Sequence, residues 1–193
     1  AADFATRALA AAGDLPLERL RATYRRIFEL RARLAESIVL PDPKAPQAAR
    51  SPLDQALDIA ARWRAEDPDN KEIDERCATL LFILGQPDEA VRHLDSIVER
   101  HAGEGEAYSA VAAILEREGR FTDADLRWQQ AIAVEPTNPT WLLGRAHNLL
   151  ANGDTATARA LAQQVKDGKW QDRFFGAKYQ AEELLTQLAA MKR

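Results

Sequence analysis

Glycine returns at a fixed interval in this chain. Gly85, Gly119 and Gly153 stand 34 residues apart, Ala56, Ala90, Ala124 and Ala158 keep the same step, and Pro68 and Pro136 are two steps apart. Such a recurrence calls for one supersecondary unit per step. Each step reads as two antiparallel helices, A and B, joined by a tight turn. The glycine ends helix A because it enters the left-handed region without a Cβ clash. The alanines let helix B approach its neighbours closely, and large residues such as Tyr108, Leu115 and Trp128 fill the gaps. One hairpin cannot bury its own apolar face, so the units must stack.

The best-marked unit runs from Gly105 to Asn138. It reads Tyr108-x₂-Val111-Ala112-x₂-Leu115, then Gly119, Ala124-x₃-Trp128, Ala131 and Pro136. This pattern resembles the tetratricopeptide repeat, whose period is about 34 residues. The resemblance covers roughly residues 52 to 170. The unit from Lys71 matches at Cys77, Ala78, Leu81, Gly85, Ala90 and Leu94, but carries Asp74 where a large residue is usual. The unit from Pro139 matches at Leu142, Ala146, Leu149, Gly153 and Ala158, with Arg145 in a place that is usually apolar. The resemblance implies an all-α fold: a right-handed superhelix of helix-turn-helix units, with an N-terminal helical extension and a C-terminal capping helix.

In chain order, residues 3–12 read as an Ala-rich helix, broken at Gly13-Asp14. Pro16 suits the first turn of a long helix over 16–39. Its apolar face is Leu17, Leu20, Tyr24, Ile27, Leu34 and Ile38, widened by Phe28 and Leu30. Arg19, Arg21, Arg25, Arg26, Arg31 and Arg33 make it basic. Residues 1–50 carry nine Lys/Arg against six Asp/Glu, a net of +3, which leaves −7 for the rest of a chain of net −4. This basic amphipathic helix reads first as a core-packing helix with a solvated arginine face, and second as a contact for acidic lipid or an acidic partner.

Pro41, Pro43 and Pro46 exclude a helix over 41–51. That loop falls where helix A of the first unit belongs, whereas helix B is marked by Ser51, Pro52, Asp54, Ala56 and Trp63. Region 1–40 is therefore expected to supply the missing partner and to pack on the array of residues 52–170, whose units are 71–104, 105–138 and 139–170. Residues 171–193 read as the capping helix, with a buried stripe of Phe174, Ala177, Ala181, Leu184, Leu188 and Met191. Phe175 and Tyr179 lie beside that stripe, as a docking surface or a continuation of the array into a homodimer.

Composition sets further bounds. Net charge −4 argues against nucleic-acid binding. The apolar run from Cys77 to Leu84 is far shorter than the about 20 residues of a membrane span, so membrane contact is not expected. Cys77, the one cysteine, reads as buried filler and leaves the compartment open. A start at Ala1-Ala2-Asp3 suits a mature end after signal-peptide cleavage, but also a chain trimmed from a longer one; periplasmic export is slightly favoured over the cytoplasm. Usage rich in Ala, Arg and Leu fits a bacterium.

No catalytic constellation is present in the sequence. His93, His101 and His147 lack metal-ligand spacing, there is no Cys-x₂-Cys, and Gly103-Glu104-Gly105 reads as a hinge between units. The expectation is no enzyme activity, no cofactor and no metal. The resemblance places a partner on the concave, inner faces of the A helices. Those positions are Glu72, Glu75, Thr79 and Phe82 in one unit. They are Glu106, Ser109, Ala113 and Glu116 in the next, then Thr140, Leu143, His147 and Leu150. The wall starts acidic and ends apolar, which suits a protein or peptide segment with basic and apolar residues; Leu143 and Leu150 alternatively lie beneath the chain's own last helix. The clamp that grips chaperone C-termini is absent, since Glu75, Thr79, Ala110, Thr140 and Gly144 stand in its places. The expected function is a non-enzymatic protein–protein interaction scaffold in complex assembly, secretion or envelope organisation. A secretion-type chaperone for an apolar client and a self-assembling repeat protein are the alternatives, and homo-oligomerisation stays open.

Overall fold

A computed structural model describes residues 16–37 and 51–191. Among these residues there are nine α-helices and no strand. They are α1 (Leu17–Ser37), α2 (Pro52–Glu66), α3 (Lys71–Ile83), α4 (Pro87–Arg100), α5 (Gly105–Arg117), α6 (Phe121–Val134), α7 (Pro139–Ala151), α8 (Thr155–Asp167) and α9 (Phe175–Ala190), with a 3-10 turn at Asp172–Phe174 before the last. The helix expected over 3–12, Ile38 and most of the proline loop lie outside the described residues. The chain forms two compact units, residues 1–96 and 97–193, and the boundary falls within α4.

Helix starts follow local chemistry. The Ser51 hydroxyl accepts from the Asp54 N–H while the Asp54 carboxylate accepts from the Ser51 N–H, both at 3.1 Å. The Asn70, Asn138 and Asp154 side chains accept from first-turn N–H groups of α3, α7 and α8. Helix ends are set by the recurrent glycines. Gly85, Gly119 and Gly153 have φ of 72°, 71° and 89°, the positive-φ residues among those described. After each of them the chain turns in the same way. The glycine N–H donates three residues back and the next N–H donates five residues back, as in Gly119 to Glu116 and Arg120 to Leu115.

In the first unit, α1 lies along α2. The Tyr24 and Trp63 rings stack with centroids 6.2 Å apart and planes 6° apart. Ile27, Phe28, Ala32 and Ala35 join Ala56, Ile59, Ala60 and Trp63 in one core with Ile73, Cys77 and Leu80 of α3. The buried face of α1 therefore centres on Tyr24, Ile27 and Phe28. Leu17, Leu30 and Leu34, expected on that face, are exposed, because they lie at the end or to the side of the arc that meets α2. Charge closes the seam. The Arg21 guanidinium forks onto Asp67, with Nε to Oδ2 at 2.6 Å and Nη2 to Oδ1 at 3.0 Å. That fork holds the buried Asp67 carboxyl below its usual range. Asp74, the departure from the repeat pattern, is fully buried and bonded to Arg64 and to His93 Nδ1.

In the second unit, α5 packs on α6, α6 on α7, α7 on α8, and α8 on α9. Ala177, Ala181, Leu184 and Leu188 of α9 are buried. Met191, expected on the same stripe, is 62% exposed; it falls one turn beyond Leu188, the last residue the neighbouring helices cover. Arg145, the second departure, reaches Asp125 of α6 with Nε to Oδ1 at 2.7 Å, so an ion pair occupies the usual apolar contact.

A Cβ at Gly119 would meet nothing within 4 Å. The cost of Gly119→Ala is thus the backbone term alone, about 1–2 kcal/mol. Chemical denaturation should show that loss, whereas Gly103→Ala, with open space and no left-handed φ, should stay within about 0.5 kcal/mol of the parent.

Candidate partner-binding site

The residues expected on the inner face of the first unit belong to α3. Glu72, expected to face a partner, is committed internally. Its carboxylate takes Arg25 Nη2 of α1 at 2.6 Å and Arg76 Nε at 2.7 Å. Burial pushes its pKa up, but those hydrogen bonds outweigh burial and leave the carboxyl below its usual range. The Thr79 hydroxyl donates to the Glu75 carbonyl at 2.8 Å, and Phe82 is half-buried. Arg25 lies 47 residues before Glu72 in the chain, so periodicity within α3 contains no sign of the pairing.

In the second unit the positions of α5 expected on the inner face are Glu106, Ser109, Ala113 and Glu116. Glu106 and Ala113 are exposed. The Ser109 hydroxyl turns back to the Glu106 carbonyl at 2.9 Å. Glu116 accepts the Trp128 indole N–H at 2.6 Å. Burial raises its pKa, opposed by the Trp128 hydrogen bond and by the nearby charge of His147. On α7, His147 is exposed, and the Thr140 hydroxyl donates to Asn138 Oδ1 at 2.5 Å. Leu143 is buried with Leu142, Val165, Ala177 and Ala181, and Leu150 is half-buried against Leu184 and its neighbours. The last helix therefore removes Leu143 from the surface and covers part of Leu150.

The spacing of this wall is set by aromatic and carboxylate contacts that sequence reading did not single out. Gly144 has no side chain because the Trp128 ring lies over it: a Cβ there would sit 2.4 Å from the indole. Trp128 and Trp141 meet with ring centroids 6.3 Å apart. Glu135, in the turn between α6 and α7, gathers three donors: Asn138 Nδ2 at 3.2 Å, the Gly105 N–H at 3.0 Å and Trp141 Nε1 at 3.1 Å. The Asn138 bond chiefly, and then the other two, lower the Glu135 pKa. One carboxylate thus ties the start of α5 to the start of α7. Trp141 and Glu135, six apart around Pro136, were the available signal.

Cys77 is buried, and burial pushes its thiol up to about 12, so it is not a nucleophile at neutral pH. Among the described residues, no group of three His, Cys, Asp or Glu side chains could hold a metal ion, and no helix is long and apolar enough to cross a membrane.

Paired helices with a glycine turn and a buried alanine at each step define a helical-hairpin repeat architecture. Residues 43–114 match the tetratricopeptide repeat family model. Repeats of this family are protein-interaction modules and generally non-enzymatic. No curated protein matches the chain. Among solved structures, a crystal structure of MamA is 15% identical with a TM-score of 0.45, over 73% of this chain and 89% of that one. A crystal structure of MamA protein is 16% identical, at 0.44 over 90% and 88%, and MamA MSR-1 C2 is 17% identical, at 0.42 over 95% and 92%. Likenesses of this degree carry nothing of MamA's role to this chain.

The two carboxylates make opposite pH predictions. Glu135 has a lowered folded pKa, so its contribution is full at pH 7 and lost as pH falls through that value. Glu135→Ala should cost about 1–2 kcal/mol at pH 7, and the difference from the parent should shrink by pH 3.5. Glu116 has a raised folded pKa, so its contribution is full in acid and lost as pH rises through that value. Glu116→Gln keeps an acceptor for Trp128 and should gain on the parent as pH rises from 4 to 7. Glu116→Ala leaves the indole N–H unpaired and should lose about 1 kcal/mol. Urea melts at stepped pH check both signs.

Proposed function

We propose that this protein is a non-enzymatic scaffold that binds a segment of another polypeptide along the inner faces of its A helices, within complex assembly, secretion or envelope organisation. The observation that carries the reading is the face of α5. Glu106 and Ala113 are exposed there, flanked by the half-buried Ser109 and Glu116. A small, acidic, structurally fixed surface of this kind favours a basic and extended or helical ligand. His147 and Thr140 of α7 continue it. Glu75, Thr79 and Phe82 of α3, each half-buried, are the corresponding positions in the first unit. Glu72 contributes through position rather than contact, because its carboxylate already serves Arg25 and Arg76. The absence of nucleic acid and of a resident cofactor belongs to the same proposal.

An array of immobilised basic–apolar decapeptides, probed with the purified chain, tests this reading. Ala113→Arg places a bulky cation on the exposed face and should cut binding at least tenfold with the far-UV circular dichroism unchanged. Binding should also fall as salt rises from 50 to 300 mM. Retention of the same peptides by the Ala113→Arg protein would exclude the α5 face as the site.

A further inference from the structure

Phe175 and Tyr179 are 81% and 62% exposed. They sit one helical turn apart on α9, opposite the stripe of Ala177, Ala181, Leu184 and Leu188 that the helix buries. Two exposed aromatic rings on adjacent turns of one helix offer joint apolar area for a contact. Its place in the repeat indicates what it contacts. The buried residues Leu142, Ala146 and Leu149 of α7 recur 35 positions later as Ala177, Ala181 and Leu184 of α9. Helix α9 therefore stands as a further A helix, next to α7 and in the same sense. In this register Phe175 takes the place of Thr140, Tyr179 that of Gly144, and Glu182 that of His147. Glu106 on α5, Thr140 on α7 and Phe175 on α9 then form one row across the first turns of three A helices, of which α7 touches both others.

We propose that this row is a bipartite clamp for an extended polypeptide segment, with a basic side chain at Glu106 and an aromatic or large aliphatic side chain on Phe175 and Tyr179. The inference rests on the interaction-scaffold reading above and adds the composition and spacing of the ligand. Glu106 makes no ion pair among the described residues, so its charge is free for a partner. At Gly144 the equivalent space is filled by the Trp128 ring; at Tyr179 the chain itself supplies the aromatic and leaves it open. Two helix spacings of 8–10 Å separate α5 from α9, about 16–20 Å in all. An extended chain rises about 3.3 Å per residue, so the basic and aromatic residues of the ligand stand about five to six positions apart.

The test is a fluorescence-anisotropy titration of the full chain with labelled twelve-residue peptides. Each carries Arg-Arg and Phe-Leu pairs in a Ser/Ala background, set six or two positions apart. The six-position peptide should bind at least fivefold more tightly than the two-position peptide. The Phe175→Ala/Tyr179→Ala protein should bind it about tenfold more weakly and lose the spacing preference, whereas Tyr179→Phe should retain both. Equal affinity for the two spacings, or no effect of the double substitution, overturns the clamp. If Glu106→Gln still weakens binding in that case, the scaffold reading stands and only the clamp falls; if neither variant matters, both fall. Sedimentation velocity supplies the other occupant: association of the chain with itself that the double substitution abolishes would overturn the clamp in favour of a second copy.

Discussion

Each B helix buries a single methyl group at the same point of the repeat. Ala56, Ala90, Ala124 and Ala158 are all fully buried, one on each B helix. A methyl group at that point lets the B helix come close to its neighbours, and the large residues then fill what remains. A longer side chain there would push the helices apart and open gaps around Trp63, Leu94 and Trp128. The rest of the architecture depends on that approach, including the turn glycines that reverse the chain within two residues and the ion pairs that need the helices near each other.

Features with a local cause were legible in the sequence. Glycine spacing located the turns because the left-handed residue is needed at every hairpin. Ser51, Asn138 and Pro139 marked helix starts because capping is decided within three residues. The buried stripe of α9 followed from helical periodicity up to Leu188. Met191 did not, because periodicity continues past the point where neighbours end. Leu30 and Leu34 mislead for a related reason: an apolar side chain on a helix can lie outside the arc its partner covers.

The candidate site was less legible, since its state depends on groups distant in the chain. Glu72 has an i,i+4 partner in Arg76 within α3, but its other partner, Arg25, is brought over from α1. Leu143 looks like a wall residue until α9 covers it. The departures at Asp74 and Arg145 look like weak packing, yet each is matched by an opposite charge on a facing helix. In both, a pair replaces an apolar contact at a helix seam, a substitution that adds geometric selectivity more than net stability.

The indole of Trp128 resting on the bare backbone of Gly144 has a consequence for how such a surface can diversify. The rungs of the wall are spaced by an aromatic ring against a residue with no side chain, and Glu135 pins their ends. Neither can stretch to admit a bulkier guest. New preferences must therefore arise by exchanging the groups mounted on each rung, while the ladder keeps its gauge.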